Sequence, residues 1–258
     1  MILEWLQALT TPCPASWRKM GFLHQAIGIN ARQARHRSAW KSHTDYTKTF
    51  ILKSAEQCDK HRKALLFGAA TLHDLPVREL AQRFDEVILI DLFHLWQSRW
   101  LAATHNNINL EVCDLTNSLD DFWQGRTEVR NPEVWLNDDT VDFIVSANIA
   151  SQLPLIPLDW LENAVKSVNR DVMGQAIIQA HFDYLKKFDA RVCLVTDLER
   201  ITCDETGTEL ERKSALFDLP VPDHQASWTW NIAPLGEIEN SRQVSHIVIA
   251  SNLGQNSD

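Results

Sequence analysis

Residues 64–91 read ALLFGAATLHDLPVRELAQRFDEVILID. The apolar run Ala64–Phe67 has strand character and meets Gly68. A helix is expected to open near Asp74 and Pro76 and to run over 74–84. A second apolar run, Val87–Ile90, then predicts a strand that delivers Asp91. Strand, tight turn, helix and strand make the opening βαβ unit of a nucleotide-binding α/β sheet, where a ligand sits at the carboxyl ends of the strands against a helix N-terminus. A carboxylate that ends the second strand is placed to hydrogen-bond a ribose diol. The turn holds one glycine where such turns usually hold two or three.

The alternation continues downstream. A helix is predicted over 94–104, a strand over 108–113, a polar connection over 115–139 and a strand over 141–146. Helices over 158–168 and 171–187 precede a strand over 191–196. Strands alternating with helices predict a parallel sheet with right-handed crossovers. After residue 199 the pattern changes: Ile201–Asp204 and Glu209–Arg212 flank the turn-forming 205–208, and Ser227–Ile232 and Val244–Ala250 read as further strands. An antiparallel ending on a parallel sheet follows. Upstream, residues 1–60 are helical in pattern with breaks at Pro12 and Pro14, and Ala39, Trp40, Tyr46, Phe50, Ile51 and Ala55 recur at helical spacing in a helix expected from Ala31 to Gln57. The expected organisation is an N-terminal helical cap over 1–60, an α/β domain over 61–251 and a disordered tail over 252–258.

The chain of 258 residues is 45% hydrophobic and 23% charged, ordinary values for a soluble globular protein. A net charge of -9 argues against a broad nucleic-acid footprint, which needs a basic face. The five cysteines show no CxxC spacing, as expected of reduced thiols rather than a disulfide framework or zinc site. No window approaches an uninterrupted apolar span, and the N-terminus does not read as a signal peptide, so neither a membrane span nor secretion is expected. The expected location is cytoplasmic. Oligomeric state carries no signature in the sequence. Walker A, nucleophile-elbow and HExxH motifs are absent, and no metal-ligand spacing is present.

The order of elements and several residues resemble the class I S-adenosylmethionine-dependent methyltransferases, over roughly residues 60–250. In Leu66-Phe67-Gly68-Ala69-Ala70-Thr71-Leu72 the first glycine of that family's first motif falls on Gly68. Its other two glycine positions fall on Ala70 and Leu72, and its acid position on Leu66. Asp91 stands where the ribose-binding acid stands, and Asp114 where the acid facing the adenine amino group stands. The run Val141–Asn148 resembles the fourth motif, and its continuation from Ile149 to Pro154 is expected to line the cleft. The resemblance implies a Rossmann-like methyltransferase fold, S-adenosylmethionine as cofactor, and cofactor contacts at Gly68, Ala70, Asp91 and Asp114. It also implies a small-molecule or peptide-like methyl acceptor, with Asn148 and Gln152 on the substrate side.

Five further residues stand out in the sequence itself. Asp74 is expected to cap the first helix, with His73 beside it as an acid/base group in the cleft; His181 is the second candidate base. Arg35 and His43, eight residues apart on one expected helix, could share a face and bind an anionic substrate group. The missing glycines and the missing first-motif acid leave two other readings open. One is a methyltransferase-fold protein without catalysis that acts as a binding or assembly partner. The other is the same cleft holding a different nucleotide or metabolite.

Overall fold

The computed structural model describes residues 2–165, 168–239 and 241–253. Its eight strands are β1 (Lys63–Phe67), β2 (Glu86–Asp91), β3 (Ile108–Val112), β4 (Val141–Ala147), β5 (Arg191–Asp204), β6 (Glu209–Ser214), β7 (Ala226–Ala233) and β8 (Arg242–Leu253). They form one sheet in the order β3-β2-β1-β4-β5-β8-β7, with β6 paired to β5. The pairs from β3 to β5 are parallel. β8 runs antiparallel to both β5 and β7, and β6 is antiparallel to β5. This is the mostly parallel Rossmann-like sheet with an antiparallel C-terminal ending that the sequence pattern predicts.

The strands are near-continuous apolar runs because helices cover both faces of the sheet. Alternate residues of β1 go to opposite sides: Ala64 and Leu66 join one buried cluster, Leu65 and Phe67 the other. The first face is covered by α4 (Arg37–Ala55), α5 (Val77–Ala81) and α6 (Trp96–Thr104), through Trp40, Ile51, Leu80 and Leu101. The second carries α9 (Arg170–Leu185), through Ile178, Phe182 and Tyr184. A smaller apolar cluster joins α2 (Ala15–Met20), α7 (Leu119–Trp123) and α8 (Leu155–Ala164). Helices α1 (Ile2–Thr10) and α3 (Phe22–Arg35) complete the N-terminal layer.

Several expected boundaries move, each for a physical reason. The helix predicted from Ala31 to Gln57 is two helices, broken at His36, whose backbone (φ -115°, ψ 34°) is not helical. The first crossover helix starts at Val77 rather than near Asp74. Pro76 sits at its N-cap, and no side chain caps it. Asp74 is not the helix cap because its carboxylate is engaged across the cleft. Asn252 and Leu253, read from the sequence as the start of a disordered tail, instead close β8 opposite Cys193 and Val192; residues 254–258 lie outside the described residues.

Among the described residues no helix is long and apolar enough to cross a membrane.

Candidate functional site

A cleft opens at the carboxyl ends of β1, β2 and β4. The chain leaves β1 for β2 on one side and returns to β4 on the other, so the cleft marks the switch point at which open α/β sheets bind ligands. Gly68 forms its floor with φ +83°, a conformation that disfavours any residue with a Cβ. An added Cβ there would lie 3.2 Å from the Ala147 carbonyl oxygen and 3.4 Å from Ile149 Cβ. The Gly68 and Ala69 N–H groups both donate to the Ile90 carbonyl, which holds the turn against β2.

The other turn positions explain how one glycine suffices. Ala70 faces the cleft, and its N–H donates to Asp91 Oδ2 at 2.8 Å. Leu72 does not line the cleft; it packs on the apolar cluster beneath. The larger side chains at the two missing glycine positions therefore leave the cleft open.

The two strand-end acids differ in their remaining capacity. A carboxylate offers about four lone-pair directions. Asp91 uses two of them, accepting from Ala70 N–H on Oδ2 and from Leu92 N–H (2.7 Å) on Oδ1. One direction on each oxygen remains for the cleft that Asp91 lines. Burial pushes its carboxyl up to about 6 against the pull of those two N–H groups. Asp114 uses all four. Oδ1 accepts from the Thr116 N–H and hydroxyl, and Oδ2 from the Ser118 and Leu119 N–H groups, at 2.7–2.9 Å. Asp114 borders the cleft, yet its side chain is committed to the loop that opens α7, and no acceptor direction is left for an adenine amino group.

Facing Gly68, Asn148 follows β4 with φ +54°, an uncommon backbone for a residue with a side chain. Its N–H donates to the Val195 carbonyl at 2.8 Å, and its amide nitrogen donates to Asp74 Oδ2 at 2.9 Å. Behind them lies His43, fully buried and stacked on Trp230 with centroids 3.9 Å apart. The Trp228 indole N–H donates to His43 Nδ1 at 3.1 Å. An indole nitrogen only donates, so Nδ1 is the acceptor there; Nε2 lies 3.1 Å from the Asn148 amide nitrogen and faces Asp74. Asp74 Oδ1 has no hydrogen-bond partner and lies 3.5 Å from His43 Nε2. Burial opposes the charge of Asp74, but the contacts with His43 and Asn148 outweigh it and hold its carboxyl below the usual value. A buried, ionised acceptor thus borders the cleft on the side away from Asp91.

The sequence-derived residues are placed as follows. Gly68, Ala70, Asp91, Asp114, Asn148 and Gln152 all line this cleft, and so does His73. His73 Nε2 lies 2.9 Å from Asn30 Oδ1. Burial keeps its ring below the usual histidine value. Three expectations are corrected. His181 lies on α9, under the other face of the sheet, where its Nε2 meets the Ser146 hydroxyl at 2.9 Å. Burial pushes it to about 4, and it does not border the cleft. Arg35 reaches Glu237 at 2.6 Å instead of a substrate group. His43 stands behind Asp74 and Asn148 rather than on the cleft wall, and the break at His36 separates it from Arg35.

A second cleft continues from the first past Gln25, Ile29 and Gln152, which line both. Its wall carries two residues that no local sequence pattern joins: Asp197 on β5 and His246 on β8. His246 Nδ1 lies 3.0 Å from Asp197 Oδ2. They sit 49 positions apart on antiparallel neighbours, so no local spacing signals the pair.

No protein-family model matches the chain, and no curated protein matches it. Among solved structures it is similar to a Burkholderia thailandensis 1,6-didemethyltoxoflavin-N1-methyltransferase with bound 1,6-didemethyltoxoflavin and S-adenosylhomocysteine. That overlap has a TM-score of 0.46 and 11% identity, over 95% of this chain and 92% of the other. It is also similar to the complex of DhpI with SAM and HEP (TM-score 0.38, 10% identity, 92% of this chain and 99% of the other). A third overlap is with the 23S rRNA methyltransferase ErmE (TM-score 0.31, 12% identity, 82% of this chain and 70% of the other).

Proposed function

We propose that the chain is an S-adenosylmethionine-dependent methyltransferase acting on a small-molecule or peptide-like acceptor. The observation that carries this reading is Asp91: a strand-end carboxylate that pins the Gly68–Ala70 turn and keeps one free acceptor direction on each oxygen. Two adjacent acceptors match the two donors of a ribose diol. In this reading Gly68 gives the backbone room, and Leu92, Phe93, Leu115 and Leu119 give an apolar wall for the base. Asp74, whose carboxyl is held below its usual value at the cleft border, would receive the ammonium of the amino-acid end. Ala70 contributes its N–H through Asp91 rather than directly, and Asp114 acts by shaping the loop. The bound cofactor supplies an electrophilic methyl group on a sulfonium.

The protein's own contribution is placement. Holding an acceptor in line with a methyl group lowers the barrier by several kcal/mol without a covalent intermediate. Gln152, which lines both clefts, and Asn148, which lines the first, would orient the acceptor. His73 is tied to Asn30 at the cleft edge and would position rather than accept a proton. Helices within residues 1–60 serve in this reading as the cap, since Phe22, Gln25, Ala26 and Ile29 of α3 line the cleft opposite the strand ends.

Calorimetric titration with S-adenosylmethionine and S-adenosylhomocysteine tests the proposal. Micromolar binding that is lost in Asp91→Ala is the expected result. Absence of heat from a folded protein free of co-purified ligand would sink it, leaving an assembly partner or a different ligand.

A further inference from the structure

The second cleft holds a carboxylate–imidazole pair that the binding of a cofactor does not require. Asp197 ends the parallel part of β5 and is buried, only 2% exposed. The β5–β8 ladder slips between Asp197 and Glu199, an irregularity of the kind that re-aims a side chain beside a site. The Ser151 hydroxyl donates to Asp197 Oδ2 at 3.2 Å, while Oδ1 is buried without a hydrogen-bond partner. His246 Nδ1 is buried 3.0 Å from Asp197 Oδ2, an ion-pair distance without hydrogen-bond geometry, and Trp230 packs edge-to-face with the ring. Its Nε2 has no protein partner among the described residues, and the residue lines the cleft. A carboxylate this close to Nδ1 favours, through its charge, the tautomer with the proton there and leaves the Nε2 lone pair free. Arg200, the register partner of His246, borders the same cleft, donates to the Thr202 hydroxyl at 3.2 Å and attracts Glu211 without a direct ion pair among the described residues. Arg32, Arg170, Lys213, Asp171 and Asp218 also face the cleft; these three cations are paired with Glu237, with Asp159 and Glu162, and with Glu211.

We propose that His246, positioned by Asp197, is the general base for the methyl acceptor, and that the acceptor is a hydroxyl compound (an alcohol, phenol or enol) rather than an amine. The inference rests on the methyl-transfer reading. The acceptor's O–H proton passes to His246 Nε2 while an oxygen lone pair forms the bond to the methyl carbon. The carbon–sulfur bond breaks, and its electron pair stays on sulfur as a neutral thioether. Arg200 favours an acceptor that becomes anionic as it loses its proton. An ammonium acceptor starts cationic and is repelled by the same group.

Two experiments separate this proposal from the reading beneath it. Long-range 15N NMR of the histidine rings, which needs no acceptor, is expected to place the His246 proton on Nδ1 at neutral pH and to move it in Asp197→Asn. A proton found on Nε2 overturns the proposal. Methyl transfer is then followed with catechol and 4-nitrophenol as hydroxyl probes and benzylamine as the amine probe. The phenols are expected to turn over and the amine to be slower by at least tenfold. His246→Gln should lower kcat by about 10²–10⁴-fold while leaving KM and S-adenosylhomocysteine affinity unchanged. Imidazole added to His246→Gly should restore turnover, which a purely structural role would not allow. Preference for the amine, or wild-type turnover in His246→Gln, overturns the base. Failure of S-adenosylmethionine to bind the wild type overturns the methyl-transfer reading instead.

Discussion

At the scale of single residues, Asp91 and Gly68 have opposite signatures. Asp91 is held above the ordinary carboxylate range, at about 6, mainly by burial. A raised value means the folded protein binds this proton more tightly than the unfolded chain. The group's contribution to stability is therefore complete below about pH 4 and is lost as pH rises through 6. Ligand binding runs the other way, because ribose hydroxyls donate to the ionised carboxylate. S-adenosylhomocysteine should bind more weakly below about pH 6, by up to tenfold per pH unit. Asp91→Asn should bind weakly with a flatter profile across that window, and calorimetry at several pH values checks both. Gly68→Ala tests the turn itself. The substitution puts a Cβ on a backbone at φ +83° and 3.2 Å from a carbonyl oxygen. A loss of about 1–2 kcal/mol in denaturant unfolding is expected; an unchanged midpoint would mean that the turn relaxes.

At the scale of elements, the cap is fastened by one acid. Glu237, in the β7–β8 connection, receives Arg32 and Arg35 from α3 and His36 from the break before α4, at 2.6–3.1 Å. The hydrogen bond from Arg35, with those from His36 and Arg32, holds its carboxyl at about 2 although partial burial works against the charge. A depressed carboxylate stabilises the fold above its unfolded value, near 4.5, and ceases to do so as pH falls towards 2. Glu237→Gln should therefore cost about 1–3 kcal/mol at pH 7 and almost nothing at pH 2. Unfolding measured at both values decides this; equal losses would show packing rather than charge to be responsible. The helix break that brings these three side chains together has no glycine or proline at His36. Its sequence reads as one continuous helix, and the partner that justifies the bend lies 201 positions away.

At the scale of the whole molecule, the cleft joins β1, β2, β4 and α3, so a ligand seated there ties the cap to the sheet. Binding to the folded state alone adds RT ln(1 + [L]/Kd), about 2.7 kcal/mol at a hundredfold excess over Kd. For a chain of this length that should raise the melting temperature by roughly 5–10 °C with saturating S-adenosylhomocysteine. A thermal melt with and without the ligand measures it, and an unmoved transition would count against the cofactor site.

The alternation of apolar runs with helical stretches was enough to determine the parallel sheet, and with it the positions of Gly68, Asp91 and Asn148 at strand ends. Those are consequences of local period and of where a strand stops, both written in consecutive residues. What Asp91 and Asp114 can still accept was not written there. The two acids sit alike at strand ends, and only the folded loops show that one keeps two free acceptor directions while the other keeps none. Tertiary structure also removed His181 to the far face of the sheet, turned Arg35 to Glu237, and set His43 behind Asp74 with its Nδ1 held by the Trp228 indole. It alone joined Asp197 to His246. Each of these outcomes depends on partners tens to hundreds of positions apart, and packing across the sheet brings such partners together without leaving a periodic trace in the chain.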